Sequence, residues 1–395
     1  MNKSKPFNIN SFWSIVAVVM MPVIGGEMFI VQPGFVQGLV EYGGFTEQQA
    51  GFLMSAEMTG FALITVVLIY LSKRINWRRF MAAAMAVAMV GNLASMAVDD
   101  VTLYAVIRFV VGLATGGIVS LGFTSIGLTA KPDRNFGFAI MASMIYGAMV
   151  MAALPWILGA LGVNGLLLVF AGLAAAGLTL VFYLPESGEE HVEVEADAVD
   201  LSFSHKLIAV VAMLCYFLAQ GAVWAYLFLF GTSAGLTETS VATGLTLSQF
   251  TGIAGAFAAV VVGARFTRLP PLAVGIAAAV IPLLMFLYSP ITGFSYLVAV
   301  LIYNFGFNLT HPYLLATMAA FDRHGRVVIY AVSAQTIGLA LGPALGAMLI
   351  DGDGYANLQW FSMGFFTLCL LLISVPALAQ ARMAKQVAVT KNALA

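Results

Sequence analysis

The chain has 395 residues, 61% of them hydrophobic and only 9% charged, with a mean hydropathy of +0.98. A soluble domain carries about 25% charged residues, so lipid rather than water must face most of this surface. A formal net charge of −1 argues against a nucleic-acid partner, which requires a basic patch.

About 20 apolar residues suffice to cross a bilayer as a helix. Twelve stretches qualify: 11–36, 48–71, 80–98, 101–128, 135–160, 163–184, 207–232, 239–263, 271–289, 293–320, 327–350 and 357–381. Lys3 and Lys5 precede the first, which has no A-x-A cleavage site and is too long for a signal core; it is expected to be an uncleaved span. Between the sixth and seventh lies the one long polar stretch, Pro185 to His205, with Glu186, Glu189, Glu190, Glu193, Glu195, Asp197 and Asp200. It reads as a solvated linker between residues 1–184 and 206–395. Cys215 and Cys369 fall inside apolar runs and read as small core residues.

The cations set the orientation. Lys73, Arg74, Arg78 and Arg79 join spans 2 and 3; Lys131 and Arg134 join 4 and 5; Lys206 closes the linker. Arg265 and Arg268 join 8 and 9, Arg323 and Arg326 join 10 and 11, and Arg382, Lys385 and Lys391 follow span 12. With twelve spans all of these share the cytoplasmic side, as do both termini. The opposite loops carry Glu41, Glu47, Asp99, Asp100, Glu238, Asp351 and Asp353, with no Lys or Arg. An offset of 192 positions maps Glu57 onto Gln249, Thr59 onto Thr251, Gly60 onto Gly252, Lys73 onto Arg265, Lys131 onto Arg323 and Arg134 onto Arg326. That pattern suggests duplicated six-span halves, a known plan for transporters with a midplane site.

Of the 17 Lys and Arg residues, Arg108 alone lies at bilayer depth. Arginine keeps its proton in proteins, and a charge there costs roughly 3 kcal/mol or more, so Arg108 needs a partner. Only Glu27 and Glu57 lie inside apolar runs. At 1.5 Å per residue, Glu27 and Glu57 sit roughly 14 Å below the outer face and Arg108 roughly 10 Å. Either pairing is therefore allowed. Two carboxylates against one guanidinium leave a net −1 if both ionise. Burial raises a carboxylate pKa and a nearby cation lowers it; one Glu can then pair while the other binds and releases a proton. The alternative is a Glu–Arg pair that only holds helices together.

The second half has no acid or Arg in any span. Asn304, Asn308 and His311 share one face of span 10, and Tyr216, Gln220 and Trp224 lie near one face of span 7. Span 8 adds Gln249 and span 11 adds Gln335. Amides in lipid are unfavourable, so these faces point inward, as a substrate surface or as interhelical hydrogen bonds. Pro312 after His311 introduces a potential kink in span 10. Gly112, Gly116 and Gly117 in span 4, and Gly338, Gly342 and Gly346 in span 11, allow close helix approach.

Several of these stretches resemble the major facilitator superfamily. Arg108-x-x-x-Gly112 resembles its span-4 motif, and Leu71-Ser72-Lys73-Arg74-Ile75-Asn76-Trp77-Arg78-Arg79 its basic loop after span 2, with Ser72 and Lys73 near the place of the family's Asp. Gln32-Pro33, Leu184-Pro185-Glu186-Ser187 and the span-11 pattern Gly338-x-x-x-Gly342-Pro343-x-x-Gly346 are also similar. The last resembles an antiporter pattern that normally sits in span 5. The nearest branch is the twelve-span drug/proton antiporters. The resemblance implies an all-α membrane protein: twelve transmembrane helices in two pseudo-symmetric six-helix bundles around a central cavity. Spans 1 and 4 line that cavity in the family, which favours Glu27 for the titrating role.

The expected function is proton-coupled transport of a small amphipathic or aromatic solute by alternating access, with solute/H+ antiport outward as the favoured direction. In that reading Glu27, Glu57 and Arg108 couple the proton. Arg108, Glu27, Tyr216, Gln220, Trp224, Gln249, Asn304, Asn308, His311 and Gln335 are the substrate candidates. The alternative is an importer or facilitator of an organic anion, with Arg108 on the substrate carboxylate; a non-transporting ligand sensor comes third. No phosphate loop, metal-spaced His cluster or hydrolase elbow occurs, so neither an enzyme nor a metal or other cofactor is expected, and the proton gradient supplies the energy. The expected setting is a monomer in a bacterial inner membrane, with lipid, protons and a small molecule as its partners.

Overall fold

The computed structural model describes residues 8–188, 199–263, 268–322, 326–350 and 354–393. Among these the regular structure is helical throughout. Ten helices among the described residues are long and apolar enough to cross a membrane. The chain divides into two compact units, Met1–His191 and Val192–Ala395.

In the first unit, the stretch expected as one span is three helices: α1 (Phe12–Gly25), α2 (Glu27–Ile30) and α3 (Gln32–Glu41). Pro22 and Pro33 each lack an N–H. The Gly25-Gly26 pair adds little helix propensity. At the second break, bonds from Val31 N–H to Met28 O and from Gly34 N–H to Val31 O tighten the turn to i→i−3. Glu27 thus begins a short helix just after an interruption rather than sitting mid-helix.

α4 (Glu47–Leu71), α5 (Trp77–Ser95), α6 (Val101–Gly127), α7 (Pro132–Leu161) and α8 (Val163–Leu180) follow. Their starts are set locally. The Thr46 hydroxyl accepts from Gln49 N–H while the Gln49 side chain accepts from Thr46 N–H. Asn76 and Asp100 cap α5 and α6 through Arg79 N–H and Leu103 N–H. α5 starts and ends three residues earlier than expected and falls outside the ten, its apolar average diluted by Arg78, Arg79 and Asn92. α6 is the hub, packed against α4, α5 and α1, while α5 also packs on α8.

The second unit holds α9 (Phe203–Ser233), α10 (Glu238–Gly263), α11 (Leu269–Tyr288), α12 (Gly293–Ala319), α13 (Arg326–Leu349) and α14 (Ala356–Ala393). α12 packs against α10 and α11, α11 on α14, and α9 on α13 and α14. The pattern of α4 and α5 on α6 thus recurs as α10 and α11 on α12. At the repeat offset, a Cβ on Gly60 would strike Phe109 O, and Thr251 Oγ1 donates to Leu301 O, the position matching Phe109. α12 continues helical through Pro312.

Residues 189–198 of the linker lie outside the described residues, as do Lys3, Lys5, Arg265, Arg323, Asp351 and Asp353. The linker's described ends correct the expectation of a solvated tether. Trp77 N–H donates to Glu186 O, and Arg78 reaches both Leu184 O and the Glu186 carboxylate. At the other end Val199 and Leu201 are buried and donate to Ala320 O and Phe321 O. Lys206 joins Asp200 and Asp322. Alternate apolar residues, Val199 and Leu201, can bury side chains and pair backbone at once, which a uniformly acidic stretch cannot. Helix α9 also begins at Phe203, inside the stretch read as linker.

Candidate functional site

Arg108, on the hub helix α6, is 0% exposed. Its Nε donates to Glu57 Oε2 at 2.8 Å, and its Nη2 lies 2.6 Å from the same oxygen. The partner left open between Glu27 and Glu57 is therefore Glu57, on α4. Local backbone geometry makes the pair: a Cβ on Gly112 would strike the Glu57 carbonyl, and one on Gly116 would strike Phe61 O. Glycine at these points lets α4 and α6 touch through backbone, which brings the two side chains within bonding distance.

The third nitrogen, Nη1, donates to Asn92 Oδ1 at 2.7 Å. Asn92 Nδ2 in turn donates to Glu27 Oε1 at 3.1 Å. The expected triad is thus a four-residue chain, Glu57–Arg108–Asn92–Glu27, drawn from α4, α6, α5 and α2. All four members are at most 1% exposed. The Phe35 ring centroid lies 5.5 Å from the guanidinium carbon, adding a cation–π contact. Glu27 Oε2 and both amide atoms of Gln32 are buried with no hydrogen-bond partner among the described residues.

The triad reading missed Asn92. It is the one amide of span 3 and lies about six residues below that span's expected outer end, roughly 9 Å. The depth argument that grouped the charged residues would have found it.

In the second unit the polar stripes resolve mostly into pairs. Gln220 accepts from Tyr303 Oη at 2.7 Å. Asn304 donates to Ser248 Oγ at 3.0 Å, and Asn308 donates to Asn304 Oδ1 at 2.8 Å. His311 Nε2 lies 3.0 Å from Gln335 Oε1. The His311 ring meets Phe217 edge-on at 5.2 Å and stacks with Phe307 at 5.7 Å. Tyr216 is fully buried, with Phe217 and Phe366 at its edges. Trp224 and Gln249 are buried on α9 and α10. Tyr303 and Ser248 complete two of the pairs. Neither belongs to the polar stripes read from the sequence: Tyr303 lies one residue before Asn304, and Ser248 one before Gln249.

A lone arginine locked to a carboxylate within apolar helices is what the cost of a buried charge required, and the sequence profile of the Major Facilitator Superfamily matches residues 13–327. The chain belongs to the major facilitator superfamily. Solved members show the same fold at low identity. A D-xylose–proton symporter aligns with TM-score 0.74 and 15% identity, over 92% of this chain and 97% of that one. A structure from work on proton-dependent oligopeptide transporters aligns at 0.69 and 15%, over 95% and 98%. A nucleoside transporter aligns at 0.67 and 12%, over 93% and 98%. No curated protein matches. This superfamily member is an integral membrane protein of transporter type, and its relatives are not enzymes.

Proposed function

We propose that this protein is a proton-coupled secondary transporter of a small organic solute, with Glu27 as the proton carrier. One observation carries the reading: Glu57 alone neutralises Arg108, with two guanidinium nitrogens on a single oxygen. Glu27 is then a surplus carboxylate. The buried chain Glu57–Arg108–Asn92–Glu27 has net charge −1 when Glu27 is ionised and zero when it holds a proton. A charge that can be cancelled by one proton, inside an apolar unit, is what coupling to a proton gradient requires.

Arg108 donates through Nε to Glu57 and through Nη1 to Asn92, with Nη2 at ion-pair distance from the same Glu57 oxygen. That counts against its binding a substrate carboxylate, the basis of the anion-import reading. The solute is amphipathic or aromatic, and we assign its contacts to the second unit's half-buried His311, Gln335 and Asn308 with Phe307. The protein works as a monomer with twelve spans in two six-helix bundles, residues 1–184 and 206–395. α1–α3 together make span 1 and α5 makes span 3. It moves solute by alternating access, outward in exchange for protons, across a bacterial inner membrane with both termini cytoplasmic. It needs no cofactor beyond the proton gradient. The glycine-proline pattern of α13 supports antiport over symport.

Proteoliposomes test this. A ligand-induced melting shift over organic acids, amines, sugars and drugs selects a solute, and a pH-sensitive dye inside the vesicles reads solute-dependent proton movement. Proton flow opposite to the solute is expected. Solute flux with no proton movement would sink the reading, and flow in the same direction would make the protein a symporter.

A further inference from the structure

Arg108 fixes which way round the Asn92 amide sits. A guanidinium carries donors only, so the Asn92 atom 2.7 Å from Arg108 Nη1 has to be the oxygen. The other end, Nδ2, is then a donor aimed at Glu27 Oε1, 3.1 Å away. Oε1 must accept. A neutral carboxyl has one carbonyl oxygen, the stronger acceptor, and one hydroxyl oxygen that carries the hydrogen and accepts more weakly, so the donor at Oε1 favours the carbonyl there and the hydrogen on Oε2. Oε2 is the opposite case: buried, with no hydrogen-bond partner among the described residues.

We infer that Asn92 is a positioning residue that directs the carried proton to Oε2 of Glu27 and reports its presence to Arg108. This rests on Glu27 being the proton carrier. In the binding step a hydronium gives its proton to a lone pair of Oε2 and leaves as water; the one bond formed is O–H on Oε2. Oε1 becomes the carbonyl oxygen and keeps its bond from Nδ2. When the proton leaves, charge returns to both oxygens and the Nδ2–Oε1 bond becomes charge-assisted, hence shorter and stronger. Hydrogen bonds in a chain polarise one another, so the amide's Oδ1 pulls harder on Arg108 Nη1. Arg108 senses the state of a carboxyl it does not touch, while its Nε and Nη2 hold Glu57.

The charged and titratable groups facing Glu27 are Glu57 from α4, Arg108 from α6 and Tyr146 from α7. Among the described residues Asn92 is the group hydrogen-bonded to a Glu27 oxygen. An amide at this place has no charge of its own to lose, so it can hold one oxygen in both states of the acid.

The test is pH-difference infrared spectroscopy of the full-length protein in liposomes, reading the C=O stretch of protonated carboxyl groups. In the wild type the band is expected at the lowered frequency of a carbonyl that accepts a hydrogen bond. Glu27→Gln should remove it, and Asn92→Leu should move it to higher frequency. A band that survives Glu27→Gln, or no such band in the wild type at any pH, overturns the carrier reading and this inference with it. A band that Glu27→Gln removes but Asn92→Leu leaves in place overturns the role of Asn92 alone. Should Asn92→Leu fail to fold, the wild-type band decides: a frequency typical of a free carbonyl overturns the proposal.

Discussion

Gly112 sets its bare α-carbon against the backbone carbonyl of Glu57, one helical turn beyond the Arg108 that grips the Glu57 side chain. Backbone contact and ion pair are thus one feature. The glycine brings α4 and α6 close enough for the buried pair. Arg108-x-x-x-Gly112 owes its four-residue spacing to this, since i and i+4 lie on one helix face.

Gly112→Val should therefore force α4 and α6 apart, because what its side chain would meet is backbone and cannot swing away. Overpacking costs about 1–3 kcal/mol. Thermal unfolding of the purified protein should show a lowered midpoint. Gly127→Ala is the control, since a Cβ there meets nothing within 4 Å, and its midpoint should stay unchanged.

Arg108→Ala strands the Glu57 carboxylate in an apolar surround, and breaking a buried pair costs about 3–5 kcal/mol. The combined variant Arg108→Ala with Glu57→Gln removes the stranded charge and should recover much of that loss while remaining inactive. Melting curves of the two singles and the double measure the coupling. Additive losses would mean that the two residues act independently.

Glu27→Gln should keep the fold and abolish coupling. The Gln carbonyl oxygen still accepts from Asn92, and the site becomes neutral with Arg108 matched to Glu57. An unchanged or raised melting point is expected, together with loss of solute-driven proton movement in proteoliposomes. Wild-type proton flux in this variant would refute the role of Glu27.

The second unit should separate structural from solute-facing polar residues. Gln220 is buried and accepts from Tyr303, so Gln220→Leu leaves a hydroxyl unpaired at about 1–3 kcal/mol and lowers the melting point. His311 and Gln335 are only half-buried. His311→Gln and Gln335→Leu should instead raise the half-saturating solute concentration with little change in melting. The reverse pattern would move the solute site elsewhere.

Much of the site was legible because bilayer depth is a single coordinate that sequence position supplies. Counting residues from the loop placed Glu27, Glu57 and Arg108 at similar depth, and the lone guanidinium demanded a carboxylate. Counting could not supply the rotation of each helix about its axis. That is why Glu27 and Glu57 stayed equivalent as partners, and why Asn92, at the same depth, went unnoticed among apolar neighbours. The break at Gly26 was hidden too: Pro22 and Pro33 signal interruption, yet hydropathy averages over it and returns one unbroken span.

The amino-acid order alone determined that the chain lies in lipid and that one permanent charge is buried, because lipid burial and charge placement depend on composition read along one dimension. Which carboxylate holds Arg108, and that an amide joins it to the other, was decided only by helix rotation and by the close approach at Gly60, Gly112 and Gly116. Those are packing outcomes, set when helices from distant parts of the chain press their backbones together.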